Sequence, residues 1–198
     1  LLNTTEACEM LTTAIAPTVT PPPDMLYERV AGQFVEKNVS AIAVWLAGRL
    51  MVLMDAAVLS RRCGWVVTEM VFILDTDEDR RRRPDVAFVS AARWPLERQL
   101  PWKSDWPIAP DLAVEIVSPG NSMNDLMRKR REYFQHGVNE VWVVLPEERQ
   151  VHCYTDVKTV RILDADDVLT TPLLPEWSLK ISDWLPVLSV EETPPSLA

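Results

Sequence analysis

PDLAVEIVSPGN, residues 110–121, sets an acid in the middle of an apolar run. Leu112, Ala113, Val114, Ile116 and Val117 surround Glu115, and SPGN ends the run with residues that interrupt regular structure. A short apolar run between such breakers reads as a buried strand. An ionised carboxylate inside a sheet costs several kcal/mol unless a cation or hydrogen bonds offset it. Glu115 therefore lies on an edge facing water or against something that neutralises it.

Upstream, PDVAFVS (84–90) reads as a second strand. Side chains alternate along a strand, so Asp85 shares a face with Ala87 and Val89, and Glu115 with Ala113 and Val117. If the two strands are neighbours, Asp85 and Glu115 could share a divalent cation. Mg²⁺ suits a site of few carboxylates with positions left for water and phosphate. The plainer alternative is two acids near strand ends, each bonded to a loop amide. Asp111 lies four strand residues from Glu115, about 13 Å, too far to join the same ion, and reads as a cap at the start of the strand.

Downstream, a helix is expected over about 123–136, with Ser122 and Asp125 as a capping box and Gly137 as the stop. Asp125 and Lys129 share a face, and Leu126 with Tyr133 and Met127 with Phe134 form the apolar stripe. Lys129 either pairs with Asp125 on the surface or folds back to the Glu115 end of the sheet. In the second case it would orient a water and steady charge on a phosphate. VNEVWVVLP and QVHCYTD read as two strands joined by a turn at 146–149.

The rest of the chain surrounds this centre. Residues 1–24, closing on TVTPPP, read as a leader, and 25–198 as one domain. LYERVAGQFVEK reads as a hairpin turning at Gly32, followed by a helix over 39–59 and a strand over 64–74. DTDEDRRRR reads as a solvated loop because it has no apolar residue to pack. The Pro-rich segment 91–110 carries Trp94, Trp102 and Trp106, which suit loop packing or a dimer contact better than base stacking. The proline-broken tail packs against the sheet. This mixture of strands and helices indicates an α/β (α+β) domain with a central sheet.

Composition narrows the function. A formal charge of −9 opposes general nucleic-acid coating but leaves room for a local basic site in Arg80–Arg83 or Arg128–Arg131. Three widely spaced cysteines, Cys8, Cys63 and Cys153, suit a reducing compartment, and Glu6 and Glu9 do not suit a signal peptide. Arg49 and Asp55 interrupt the longest apolar region, which reads as a buried helix rather than a membrane span. A cytoplasmic location and no membrane partner are expected. Of the two histidines, His136 lies at the helix end, where a cation suits the dipole, and His152 lies in a strand with no local partner acid; no glycine-rich phosphate loop is present.

RRPDVAFVS, then PDLAVEIVSPGNSMNDLMRKRREYFQHGVNEVWVVLPEERQVHCY, then LTTPLLPEWSLKISDWL together resemble the Uma-two-type family of bacterial restriction endonucleases, within the PD-(D/E)XK nuclease superfamily. The resemblance runs from about Tyr27 and agrees in order and spacing. It implies a restriction-endonuclease-like core, a mixed central β-sheet flanked by helices, and metal-dependent hydrolysis of DNA phosphodiester bonds. Asp85 and Glu115 stand at the motif's acids and would bind Mg²⁺ or Mn²⁺. The superfamily's lysine, two residues after the acid, is Val117 here, and Lys129 in the next helix is the family's substitute. The superfamily's first-helix acid falls on or near Glu36, with Glu69 as a weaker candidate, and Ala31 stands where relatives often carry an acid. Arg81–Arg83 and Arg130–Arg131 would grip backbone phosphates, and a homodimer is expected because cutting two strands asks for two sites. The alternative is a catalytically inactive nuclease fold kept as a nucleic-acid-binding or interaction module.

Overall fold

The computed structural model describes residues 26–102 and 104–188, so the leader and Cys8 lie outside the described residues. The elements run β1 (Tyr27–Val30), β2 (Gln33–Glu36), α1 (Ala41–Arg61), β3 (Gly64–Thr68), β4 (Phe72–Asp75), β5 (Arg80–Arg82) and β6 (Val86–Ser90). After a long loop come β7 (Leu112–Ile116), α2 (Met123–Gln135), β8 (Glu140–Leu145), β9 (Gln150–Tyr154), β10 (Val160–Leu163), β11 (Val168–Thr170), β12 (Ser178–Lys180) and α3 (Ile181–Trp184).

Six strands form the main sheet in the order β10-β9-β8-β7-β6-β3. β7 and β8 are parallel, joined across helix α2, and the other pairs are antiparallel, so the central sheet is mixed. All five residues of β7 are buried, as a strand covered on both faces requires. Leu112, Val114 and Ile116 join the α1 side of the core with Leu46, Leu50 and Met54, while Ala113 packs with Leu126 and Tyr133 of α2. The alternation read from the sequence is thus realised, and Glu115 points toward α2.

Helix α1 begins two residues later than expected, with the Ser40 hydroxyl accepting a hydrogen bond from Ala43 N. It is buried on one face only. Trp184 and Trp177, from the tail, donate to the carbonyls of Leu46 and Leu53 and fix that face against the core. The expected strand 64–74 is two strands in different sheets. Glu69 has φ 53°, and the break it makes sends β3 to β6 and β4 to β5.

The run DTDEDRRRR is not a solvated loop. Arg80–Arg82 forms β5, inside a second sheet ordered β2-β1-β5-β4, and Arg82 is 1% exposed. Buried carboxylates take the place of the apolar partners that the sequence reading required. In α2, Ser122 is the N-cap residue but its side chain makes no capping bond, and Asp125 pairs instead with Arg128 at 2.7 Å. Gly137 ends the helix with φ 81°, as expected. In the long loop, Trp94 and Trp106 are buried and meet edge to face, with Phe72 stacked on Trp106. These two therefore offer no dimer contact, and Trp102 alone of the three stands exposed.

The β1–β2 hairpin turns through Ala31 and Gly32, whose φ values of 50° and 75° give a type I′ turn. Alanine occupies the left-handed region at a cost that asparagine largely avoids. Ala31→Asn is expected to stabilise the fold by about 0.5–1 kcal/mol, read as a higher urea midpoint.

Candidate active site

The β6–β7 register, Val86 with Val114, puts Asp85 opposite Glu115 one step beyond the paired residues. Asp85 N donates to Val114 O at 2.9 Å, and Asp85 Oδ2 accepts from Ile116 N at 2.5 Å, which locks the carboxylate to the end of β7. Both acids are buried, at 3% and 4% exposure. A cleft of about 130 Å³ opens beside them, between the β1–β2 hairpin and the first turns of α2.

Two lysines reach the acids from different elements. Lys129 Nζ lies 3.0 Å from Glu115 Oε2 and 3.0 Å from Glu28 Oε1. One helical turn on, the Tyr133 hydroxyl donates to Glu115 Oε1 at 2.7 Å. Lys37, just past β2, lies 2.7 Å from Asp85 Oδ1 and 2.9 Å from Glu69 Oε1. Behind them Arg82 bridges Glu28, at 2.7 Å, and Glu132, which also holds Arg80.

Burial dominates the electrostatics. It pushes the Glu115 carboxyl above its ordinary range; Lys129 pulls it back, while Glu28 and Asp85 push it further up. Burial likewise raises Asp85 against the pull of Lys37. For Glu28 the same burial is outweighed by Lys129 and Arg82, and its pKa falls. Burial alone would lower Lys129, but Glu115 and Glu28 raise it and keep the ammonium charged. Lys37 follows the same pattern through Asp85, Glu115 and Glu69. The Tyr133 phenol is driven well up by burial and by Glu115, so it stays protonated and donates.

Of the residues singled out from the sequence, Asp85, Glu115 and Lys129 come together. Glu36 ends β2, opposite Tyr27, and is an exposed part of the cleft wall; its neighbour Lys37 is the residue that enters the site. The Glu69 carboxylate reaches that of Asp85 through Lys37, and the Glu69 backbone N donates to Asp85 O at 3.4 Å. Val117 packs on the α2 side of the sheet, leaving the ammonium to Lys129. Asp111 accepts from Ser90 N and Asn139 Nδ2 at the start of β7, as a capping acid does.

Sequence reasoning missed Glu28, Lys37, Arg82 and Tyr133 as members of the site. Only Tyr133 left a signal, by standing four residues after Lys129. The basic runs are also placed differently from expectation. Arg81 pairs with Asp79 and Asp105, Arg83 donates to the carbonyls of Tyr27 and Glu69, and Arg130 covers the Tyr154 ring. Arg128 and Arg131 are the exposed members of the α2 run.

A divalent cation fits the pair in one respect. Each of the four carboxylate oxygens accepts one hydrogen bond or ion-pair contact, and a carboxylate oxygen has a second lone pair to offer. Among the described residues no group of three or more His, Cys, Asp or Glu is placed to hold a metal ion. A cation held by these two acids would complete its coordination with water.

The profile of the Uma2 family, described as "Putative restriction endonuclease", matches residues 16–182. A solved structure from Anabaena variabilis, described as a putative nuclease belonging to DUF820, is similar with a TM-score of 0.74 at 21% identity. The similarity covers 84% of this chain and 93% of that one, and at this identity it establishes the shared fold. A comparison with curated proteins finds no match. With its nuclease-like mixed sheet and a profile match over most of its length, the chain belongs to the Uma2 family.

Proposed function

We propose that the protein is a divalent-cation-dependent endonuclease acting on DNA, with Asp85 and Glu115 holding Mg²⁺ or Mn²⁺. The observation that carries this reading is the pair of buried acids facing each other across β6 and β7, at the floor of a cleft, with two half-buried lysines against them. Held by Asp85 and Glu115, such a cation would polarise the scissile phosphate and lower the pKa of an attacking water.

The chain's own residues supply the rest. Ile116 N and Tyr133 hold the two carboxylates in orientation. Lys129, steadied by Glu28, presents an ammonium to negative charge developing on the phosphate. Lys37 performs the same service from the Asp85 side. Glu36, on the cleft wall, is a candidate to relay a proton to bulk water. Arg128 borders the cleft and is free to swing from Asp125 onto a backbone phosphate. Arg131, one turn further along α2, continues that track.

One observation favours the alternative of a non-catalytic module: Lys37 and Lys129 already neutralise both acids. A cation must compete with those ammonium groups. Plasmid nicking beside calorimetry of Mn²⁺ binding separates the two readings. The nuclease cuts with Mg²⁺ or Mn²⁺, and Asp85→Asn lowers the rate on the order of 10³-fold, several kcal/mol of barrier. Absence of both cutting and cation binding in the unaltered protein would sink the proposal.

A further inference from the structure

Each lysine of the site stands between two acids, only one of which is assigned to the cation. Lys129 lies 3.0 Å from Glu115 and 3.0 Å from Glu28. Lys37 lies 2.7 Å from Asp85 Oδ1, and 2.9 and 3.0 Å from the two carboxylate oxygens of Glu69. An ammonium has three donors, and Lys37 sets all three on these oxygens. Asp85 Oδ2 is tied to Ile116 N, so Lys37 holds the oxygen of Asp85 that is not tied to the backbone. A cation on that oxygen meets the ammonium at close quarters, and like charges repel. With Asp85 as its sole partner, the displaced lysine would be a desolvated charge without an acid, and that cost would fall on cation binding.

We propose that Glu69 is the positioning residue for Lys37: it receives the ammonium when a cation takes Asp85, so the cation enters without expelling the lysine. This role rests on the cation-dependent reading of the site, and it answers the competition between cation and ammonium that the reading faces. Glu69 reaches its place at a cost. Its φ of 53° lies in the left-handed region that glycine and asparagine enter more readily. The backbone is held there from two sides, by Glu69 N donating to Asp85 O at 3.4 Å and by Arg83 donating to Glu69 O at 3.2 Å. Six non-glycine residues have positive φ among the described residues, and Glu69 is the one whose side chain bonds to a lysine of the site. Strained backbone held by its surroundings gathers at working sites. The Asp85 side chain is 4% exposed and that of Glu69 30%, so Lys37 stands between a buried acid and one that borders solvent. Lys129 repeats the arrangement with Glu115 and Glu28.

Calorimetric titration of the full chain with Mn²⁺ tests this without measuring cleavage. Lys37→Met removes the competing ammonium and is expected to tighten Mn²⁺ binding several-fold. Glu69→Gln is expected to weaken it, because Lys37 then has Asp85 alone. The deciding quantity is that loss in two backgrounds. Acting through Lys37, Glu69 gives a loss at least about fivefold larger when Lys37 is present than in Lys37→Met. A direct ligand, or a charge felt at a distance, gives the same loss in both. Lys37→Gln repeats the comparison with a polar side chain, so the ratio does not hinge on how methionine packs. A ratio below fivefold in both backgrounds, or a Lys37→Met variant that binds Mn²⁺ no more tightly, overturns the role of Glu69 and leaves the cation site standing. Absence of Mn²⁺ binding in the unaltered protein overturns both.

Discussion

Arg82→Met is expected to destabilise the protein by about 3 kcal/mol, lowering the melting temperature by roughly 10 °C. Arg82 sits in β5 with 1% exposure and bridges Glu28 and Glu132, both of them buried. Methionine fills most of the arginine volume, so the loss comes from two carboxylates stripped of a shared cation rather than from a cavity. Breaking a buried ion pair from one side costs about 3–5 kcal/mol. The lower end applies here because Glu28 keeps Lys129 and Glu132 keeps Arg80. Arg82→Lys should recover only part of the loss, since an ammonium cannot fork between two acids as a guanidinium does. Neutralising the acids together with the arginine, by Arg82→Met with Glu28→Gln and Glu132→Gln, should return stability close to its starting value. Thermal melts of these three variants check the order.

The same cluster explains how much of this protein is legible in its sequence. The strand around Glu115 declares itself because its neighbours are apolar and its ends are breakers. Lys129 is legible because one helix face carries Leu126, Lys129 and Tyr133, and the apolar members of that face must point at the sheet. Arg82 is hidden for the opposite reason. Hydrophobic periodicity finds a buried position only when the residue there is apolar, and β5 buries an arginine whose partners come from β1 and α2. Glu28 and Lys37 are hidden by distance along the chain. The hairpin is readable as a hairpin, but nothing local says that its second strand delivers Lys37 to Asp85. Glu36 lines the cleft wall and the next residue, Lys37, meets Asp85, because one residue along an extended chain reverses the face. The broken strand at Glu69 is missed because a non-glycine residue with positive φ leaves no mark in composition.

Glu115→Gln should remove cleavage, on the order of 10³-fold or more, while making the cation-free protein more stable at neutral pH. The two effects come from one cause. Glu115 is buried beside Asp85 and Glu28, and both Glu115 and Asp85 titrate above their ordinary values of 4.5 and 3.8. Between those values and the raised ones, the folded chain holds protons that the unfolded chain has released. The stability this confers is complete below the ordinary values and is lost as pH rises through the raised ones. Glu28 acts oppositely: its lowered pKa gives stability that is present above 4.5 and lost as pH falls through the folded value. Without cation the melting temperature should therefore peak in mildly acidic solution and decline toward neutrality. Glutamine keeps the size of the side chain and removes the charge, so Glu115→Gln should flatten that decline. Mn²⁺ should act in the reverse sense on the unaltered protein, adding about 2.7 kcal/mol at a hundredfold excess over its dissociation constant, and should add nothing to the variant. If Glu115 were only a structural partner of Tyr133 and Lys129, glutamine would lower the melting temperature at every pH and Mn²⁺ would move neither protein. Melting curves against pH, with and without Mn²⁺, thus separate a cation-binding acid from a packed one without measuring cleavage.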